Sequence, residues 1–565
     1  MTYDFDAIVV GSGITGGWAA KELTERGLTV LMIERGRAIE HQTGYETELK
    51  APWEMPFRGF GDRKLFEEQY PVQSKGTYFD EWTMGHFVND VDHPYQTDAA
   101  APVQWRRGYQ LGGRSLTWGR QCYRWSDYDF GANAQDGHGI DWPVRYADLK
   151  PWYDHVEAFV GVNGSVEGMP QLPDGVFQPP MPLSAGEELL QRKIAEHYGD
   201  RRLIPGRSAN LTEAKDGRAP CQYRYMCARG CSFGAYFSTQ SATLPAARTT
   251  GRLTVLTDTI VARIEYDPRS GRAVAVYTID AKSRDTARHT SRLFFLNASS
   301  FNSVGILLRS ANEAFPTGLG NRSGTLGRFI MDHANTVAGV ATIPGLEDRT
   351  YFGNRPSNFV IPRFRNLDGP QSDFLRGYSY QGVAIRANWQ RGAQRPGLGA
   401  ELRSKLSGPG EWRVLMVAFA ESLPRADNRV TLSKLTDQWG LPQLDIRLSH
   451  GENERKLLAD AAAEARAMLG LLGGEILLSS SEPALGGTAV HEMGGARMGA
   501  DPAHSVVNAL NQLHDVPNIF VTDGAACQRR SKSRPFGGVK PGHRVTCRGE
   551  WREGVARGPL PPALV

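Results

Sequence analysis

Three places in this 565-residue sequence gather groups that can do chemistry. His491 opens the run His491-Glu-Met-Gly-Gly-Ala-Arg-Met-Gly499, and a neutral imidazole is suited to accept a proton near pH 7. Cys221, Cys227 and Cys231 stand within eleven residues, and thiolates that close are soft ligands for zinc or an iron–sulfur cluster. Three reduced structural cysteines are the plainer alternative. Near the start, Gly11-Ser-Gly13-Ile14-Thr15-Gly16 has the spacing of a phosphate-cradling turn. There Gly11 permits the tight turn, Gly13 lets the backbone approach a pyrophosphate, and Gly16 lets the next helix pack closely.

The elements around these residues are readable. Residues 6–10, Asp-Ala-Ile-Val-Val, read as a buried parallel strand, Trp18 to Arg26 as a helix, and Thr29 to Ile33 as a second strand. The free N–H groups at the helix N-terminus face the phosphates. Glu34 follows Gly16 by 18 residues, where an acid accepts ribose hydroxyls. The fingerprint alone does not separate NAD from FAD. A second set of glycine- and histidine-containing segments far along the chain suits the longer FAD, held from both sides. Val414 to Ala420 and Arg429 to Leu432 read as strands joined by a loop rich in Pro, Asp and Asn, and Asn453 to Leu471 as an amphipathic helix.

The charge balance narrows the partners. The formal charge is +4, but the stretch from Gln528 onward holds seven Arg and two Lys against two Glu. The remainder is slightly acidic, which argues against nucleic acid or an anionic membrane as partner. The apolar runs fall short of the ~18 residues of a spanning helix. Met1 to Asp6 lead straight into a strand, which leaves no signal peptide. A cytoplasmic location is expected, or a periplasmic one if a small signal-bearing export or chaperone subunit carries the chain out.

Several separated segments resemble the glucose–methanol–choline oxidoreductases. They are Arg107-Gly-Tyr-Gln-Leu-Gly112-Gly113-Arg-Ser115-Leu-Thr117-Trp118-Gly119, Leu296-Asn-Ala298-Ser299 with Asn302-Ser303, and Gly327-Arg-Phe-Ile-Met-Asp-His333. The glycine-rich His491 segment and Asn518-Ile-Phe-Val-Thr-Asp523-Gly524 complete the set, in the order of the family. Within it the chain is most similar to the flavoprotein subunits of bacterial glucoside 3-dehydrogenase and gluconate 2-dehydrogenase, and more distantly to pyranose 2-oxidase.

The resemblance implies an α/β fold, α+β overall, with a Rossmann-type FAD-binding domain discontinuous in sequence (1–45, 100–125, 205–335 and 485–527). A substrate domain and cap (46–99, 126–204 and 336–484) would be built on a mostly antiparallel sheet. It implies FAD contacts from Gly11, Gly13, Ile14, Thr15, Gly16, Glu34, Arg35, Arg107, Gly112, Gly113, Ser115, Thr117, Trp118, Ala298, Asp523 and Gly524. His491 would act as the base while a hydride passes from a carbinol carbon to the flavin. The activity implied is oxidation of a sugar or glycoside secondary alcohol, C3-OH to 3-keto, with electrons leaving to a cytochrome-type or artificial acceptor. An oxidase giving hydrogen peroxide and a flavin-binding protein with impaired turnover are the alternatives. The cysteine loop looks like an iron–sulfur loop, with Arg224 and Arg229 offsetting its charge and Cys122 a remote candidate for a fourth ligand. His333 and His450 read as structural.

Two departures from the family stand out. At the position where pyranose 2-oxidase carries a histidine bonded covalently to its flavin, this chain has Thr117, so FAD should be held non-covalently. After Asp523-Gly524 the family continues with an Asn-Pro motif carrying the base's catalytic partner. Here residues 528–565 form a basic tail with five Pro and six Gly, and no Asn follows Asn518. An interaction tail or a change of reading frame near Gln528 would account for it, and His543 is a conceivable substitute for the missing partner.

Overall fold

A computed structural model describes residues 3–351, 353–369, 372–387 and 397–527. The tail from 528, with His543, lies outside the described residues. Two sheets carry the molecule, and the expected α/β class with an antiparallel second sheet holds.

The first sheet begins with Phe5–Val10, whose apolar run is buried from Ala7 onward. It pairs in parallel with Val30–Ile33 on one side and with the second half of Thr286–Leu296 on the other. Leu253–Leu256 extends the first edge, and Ile519–Val521 adds in parallel beside Phe294, Phe295 and Leu296. Strand Thr286–Leu296 has two characters. Its polar beginning pairs antiparallel with Arg272–Asp280, while its Leu-Phe-Phe-Leu end enters the parallel core. Asn518 stitches the junction: its side-chain oxygen accepts from the Ala273 N–H at 2.9 Å, and its amide donates to the Ala273 and Arg292 carbonyls at 2.8 Å each.

The second sheet has six antiparallel strands in the order Ile476–Leu478, Ala334–Ile343, Trp412–Ala420, Tyr378–Arg386, Phe359–Ile361 and Ile204–Pro205. Along Trp412–Ala420 burial alternates, the period of a strand with two distinct faces. Trp412, Val414, Met416, Ala418 and Ala420 pack under Glu452–Gly470, whose Leu457, Ala461, Ala465 and Met468 share their core. Phe419 therefore points to the opposite face, towards the candidate site.

Element bounds differ from expectation in two instructive places. The first helix starts at Ile14 rather than Trp18, because Gly13 is its N-cap and Gly16 and Gly17 lie inside it. Arg429–Thr436 runs past the expected end at Leu432. It pairs with Pro442–Arg447 in a separate three-stranded sheet completed by Gln96–Thr97. No described helix is long and apolar enough to cross a membrane.

Candidate active site

The glycine turn is set by close backbone approach. Gly11 has φ +93°, and a Cβ there would lie 2.5 Å from the Asn297 carbonyl oxygen. A Cβ on Gly16 would lie 1.8 Å from the Gly11 oxygen, so only glycine lets the helix sit on the strand. At Gly13 a Cβ would meet nothing within 4 Å. That glycine is not demanded by the protein's own packing, and its open side is where a pyrophosphate fits against a bare backbone. The turn's residues thus fit a dinucleotide. Ile14 is half-buried beside Trp18 and Trp118, and Thr15 is buried.

Glu34 is buried and clamps the turn. Its carboxylate accepts from Ser12 Oγ at 2.5 Å, from the Ser12 N–H at 3.1 Å and from the Gly36 N–H at 3.0 Å. Burial pushes its pKa up, and these hydrogen bonds only partly oppose the shift. Ser12 Oγ also accepts from the Gly112 N–H at 2.8 Å, which brings the second glycine loop onto the first. Gly112 and Gly113 both have left-handed φ, +84° and +50°. The loop is anchored further by the Thr239 N–H donating to Ser115 Oγ at 3.1 Å and by Trp118 Nε1 donating to the Phe237 carbonyl at 3.0 Å. Thr117 is buried within it.

Two expected cofactor arginines diverge. The Arg35 guanidinium lies 4.1 Å from the centre of the Tyr109 ring and remains half-buried at the turn. Arg107 is instead spent on a nearly fully buried ion pair with Asp90 at 3.0 Å and on the His93 carbonyl. In this structure Arg107 holds segments 90–93 and 105–107 together rather than facing the turn.

Asp523 and Gly524 link the turn to the histidine. Ser303 Oγ donates to Asp523 at 2.5 Å and accepts from the Ala298 N–H at 3.1 Å, while Asp523 also caps Ala525 at 2.9 Å. The Gly524 carbonyl accepts from the Gly494 N–H at 3.0 Å. Gly494 has φ +88°, and a Cβ on it would fall 2.1 Å from the Phe329 oxygen. Met331 and Met493 exchange backbone hydrogen bonds of 2.8 and 2.9 Å, so Asp332-His333 runs alongside His491.

His333, read from sequence as structural, is brought into the site. Its Nδ1 lies 2.9 Å from His491 Nδ1, with the rings nearly perpendicular at 79°. One oxygen of Asp332 accepts from the backbone N–H of both His333 (2.9 Å) and His491 (3.1 Å), which fixes both backbones. The Phe419 ring stands 5.7 Å from the His491 ring and 5.8 Å from that of His333. Glu492 pairs with Arg114 at 2.9 Å, which ties the second glycine loop to the histidine segment. Among the described residues no partner reaches His491 Nε2, and the residue is 9% exposed. His450 is buried, and burial lowers its pKa. Sequence reading missed Ser12, Asp332, Phe419 and Glu492 as well as the role of His333. The available signal was the Asp-His pair closing the Gly327–His333 segment.

The cysteine loop lies next to the second glycine loop, Cys227–Arg229 packing against Gly113–Leu116. All three thiols are free and half-buried. Burial, then the neighbouring Cys227 and Cys231, pushes Cys221 up to about 11. Arg224 and Arg229 are committed elsewhere, Arg224 to Glu48 and Arg229 over the Trp82 ring at 3.9 Å. The cation acting most strongly on Cys227 is Arg120, with Arg224 weaker, which corrects the expected pairing. Cys122 is buried, its thiol donating to the Arg120 carbonyl at 3.1 Å. Among the described residues the only such group with ligand atoms all within 4.8 Å of one another is Asp332, His333 and His491. The three thiols therefore do not form a preset site for a single zinc ion.

Known proteins are similar to this chain along most of its length. Paromamine 6'-oxidase of Streptomyces fradiae is 27% identical, over 92% of this chain and 86% of its own length. 2-Methyl-1,2-propanediol dehydrogenase of Mycolicibacterium austroafricanum is 27% identical, covering 92% and 90%. The fructose dehydrogenase large subunit of Gluconobacter japonicus is 24% identical, covering 93% of each. The crystal structure of pyridoxine 4-oxidase from Mesorbium loti superposes with a TM-score of 0.58 at 18% identity, over 98% of this chain and all of that one, a likeness of fold. Two family models, each described as GMC oxidoreductase, match residues 5–335 and 424–535. With the turn, the second glycine loop and the histidine segment joined as they are, and one model alone spanning more than half the sequence, the chain belongs to the GMC oxidoreductase family.

Proposed function

We propose that the chain binds FAD non-covalently and oxidises a secondary alcohol of a sugar or glycoside, the C3 hydroxyl to a 3-keto group, with His491 as base. The observation that carries this reading is the open Nε2 of His491, in a segment hydrogen-bonded through Gly494 and Gly524 to the residues around the dinucleotide turn. The flavin, when bound, supplies the acceptor for the hydride leaving the carbinol carbon. The chain's own work is to hold the alcohol and take its proton at His491 Nε2. Gly11, Gly13, Gly16, Glu34, the Gly112–Trp118 loop, Ala298, Asp523 and Gly524 are the residues that would hold the cofactor.

A cavity opens on the sheet face that Phe419 shares. Ser379 sits opposite Phe419 across the antiparallel pair, so both side chains share one sheet face. Ser379 lines that cavity with Tyr123, Tyr128, Asp129, Gln171 and Arg363 and with the apolar Leu172, Val360 and Pro362, a mixed wall with two aromatic rings. Such a wall can match several hydroxyls and stack on a pyranose face. The relatives are named for paromamine, 2-methyl-1,2-propanediol and fructose, the last two of which are a diol and a sugar.

The cysteine loop favours electron exit to a protein acceptor over oxygen. Cys227–Arg229 packs beside the second glycine loop, and an iron–sulfur cluster held by Cys221, Cys227 and Cys231 would supply such an exit. Anaerobic purification with iron and sulfide analysis tests the cluster. The function is tested by anaerobic bleaching of the bound flavin with a panel of glycosides, then by reoxidation with dyes and with air. Rapid reoxidation in air with peroxide release would replace the dehydrogenase reading with an oxidase. Failure of every glycoside to bleach the flavin would remove both.

A further inference from the structure

Two imidazole Nδ1 atoms 2.9 Å apart can hold only one proton between them when both rings are neutral. One ring must then be the Nδ1–H tautomer and the other the Nε2–H tautomer. His491 is able to receive a proton at its open Nε2 only if that nitrogen is bare, which requires its own proton to sit on Nδ1.

We infer that His333 is a positioning residue that holds His491 in its Nδ1–H tautomer by accepting that hydrogen through its own Nδ1. The inference rests on His491 being the base. When the substrate hydroxyl gives its proton to His491 Nε2, the ring becomes imidazolium, and its Nδ1–H remains hydrogen-bonded to neutral His333. The same bond offers the surplus proton a route onto His333 Nδ1, which returns His491 to neutrality. Asp332 fixes both backbones, and its carboxylate stands within 4.8 Å of the two rings, where it favours the transient positive charge. Phe419 confines both rings from the sheet side. The device as described uses residues 332–333 and 491.

The test compares His333→Leu, which cannot accept the hydrogen, with His333→Gln, whose amide oxygen can. In holoenzyme, anaerobic flavin reduction should slow by about 10²–10⁴-fold in the Leu variant, with substrate affinity changed far less. The Gln variant should run about tenfold faster than the Leu variant, the worth of one retained hydrogen bond. The acid limb of the pH profile should move in both. Nitrogen-15 spectra of histidine-labelled protein should place the His491 proton on Nδ1 in the wild type and spread it over both nitrogens in the Leu variant. Equal rates and unmoved pH profiles in all three proteins would overturn the inference, as would Gln and Leu variants slowed alike. A wild-type His491 protonated on Nε2 would overturn it even without a known substrate. Absence of bleaching in the wild type, with the Nδ1 proton in place, would sink the oxidation reading and spare the pairing.

Discussion

The two ends of the candidate site are built in opposite ways. At the first turn, Gly11, Gly13 and Gly16 act through what they lack: Gly11 and Gly16 let backbone atoms come close, and Gly13 leaves open space. At the histidine corner, the geometry depends on named side chains meeting from segments 158 residues apart. On the proposed function the first end would hold its ligand through shape and backbone N–H groups, so it is encoded in a few consecutive residues. The second end must set a protonation state, which needs an imidazole, an acceptor and a carboxylate in one place. Ligand-holding is local here, and proton-handling is not.

Substitutions can break that contrast, the largest effect first. His491→Ala should slow anaerobic flavin reduction by about 10²–10⁴-fold while flavin still binds, measured by stopped-flow and by titration of the apoprotein. An equal rate would remove the base. Next come two glycines of one turn with opposite expectations. Gly16→Ala forces a Cβ against the Gly11 oxygen and should cost about 1–3 kcal/mol or more of stability, visible in denaturant unfolding. Gly13→Ala meets no protein atom, so the apoprotein should keep its midpoint while flavin affinity falls. If both weaken the apoprotein equally, the open cradle is not where the cofactor sits.

The smallest effect concerns Glu34. Burial raises its pKa in the fold above the ordinary 4.5. A carboxyl with its folded pKa raised gives stability that is complete below the unfolded value and is lost as pH climbs through the folded one. Wild-type apoprotein should therefore weaken as pH rises above about 4.5, and Glu34→Gln should be free of that slope. The variant's thermal midpoint, relative to wild type, should rise between mildly acid and mildly alkaline buffer. A difference that stays flat with pH would show that Glu34 is ionised without penalty.

Much of the local chemistry was legible in the sequence, because it depends on short spacing. The strand–glycine–helix–strand–acid order needs no tertiary information, and the observed Phe5–Val10, Ile14–Glu25 and Val30–Ile33 follow it closely. The Ala-rich helix Glu452–Gly470 was equally plain. What stayed hidden depends on long-range meetings. His333 reads as one more buried histidine until Met331 and Met493 pair. Arg107 reads as a cofactor contact until Asp90 claims it. Arg429–Thr436 reads as a strand with no assigned mate until Gln96–Thr97 and Pro442–Arg447 complete its sheet. In each case the residue type was right for two roles, and only a partner far along the chain chose between them.

The strand Ile519–Val521 carries a consequence for biosynthesis. It covers the outer edge of Phe294–Leu296, with Phe520 stacked on Phe295 at 5.0 Å, and the adjoining Thr522 bonds to Asn297 across 225 residues. At ribosomal speeds of ~5–20 residues per second, that edge waits about 10–45 s for its cover. Throughout that interval the nascent protein displays an unpaired apolar ribbon, the kind of surface that chaperones retain and that aggregates recruit. The yield of folded enzyme should therefore depend on what shields those three residues in the cell, as much as on the stability of the finished fold.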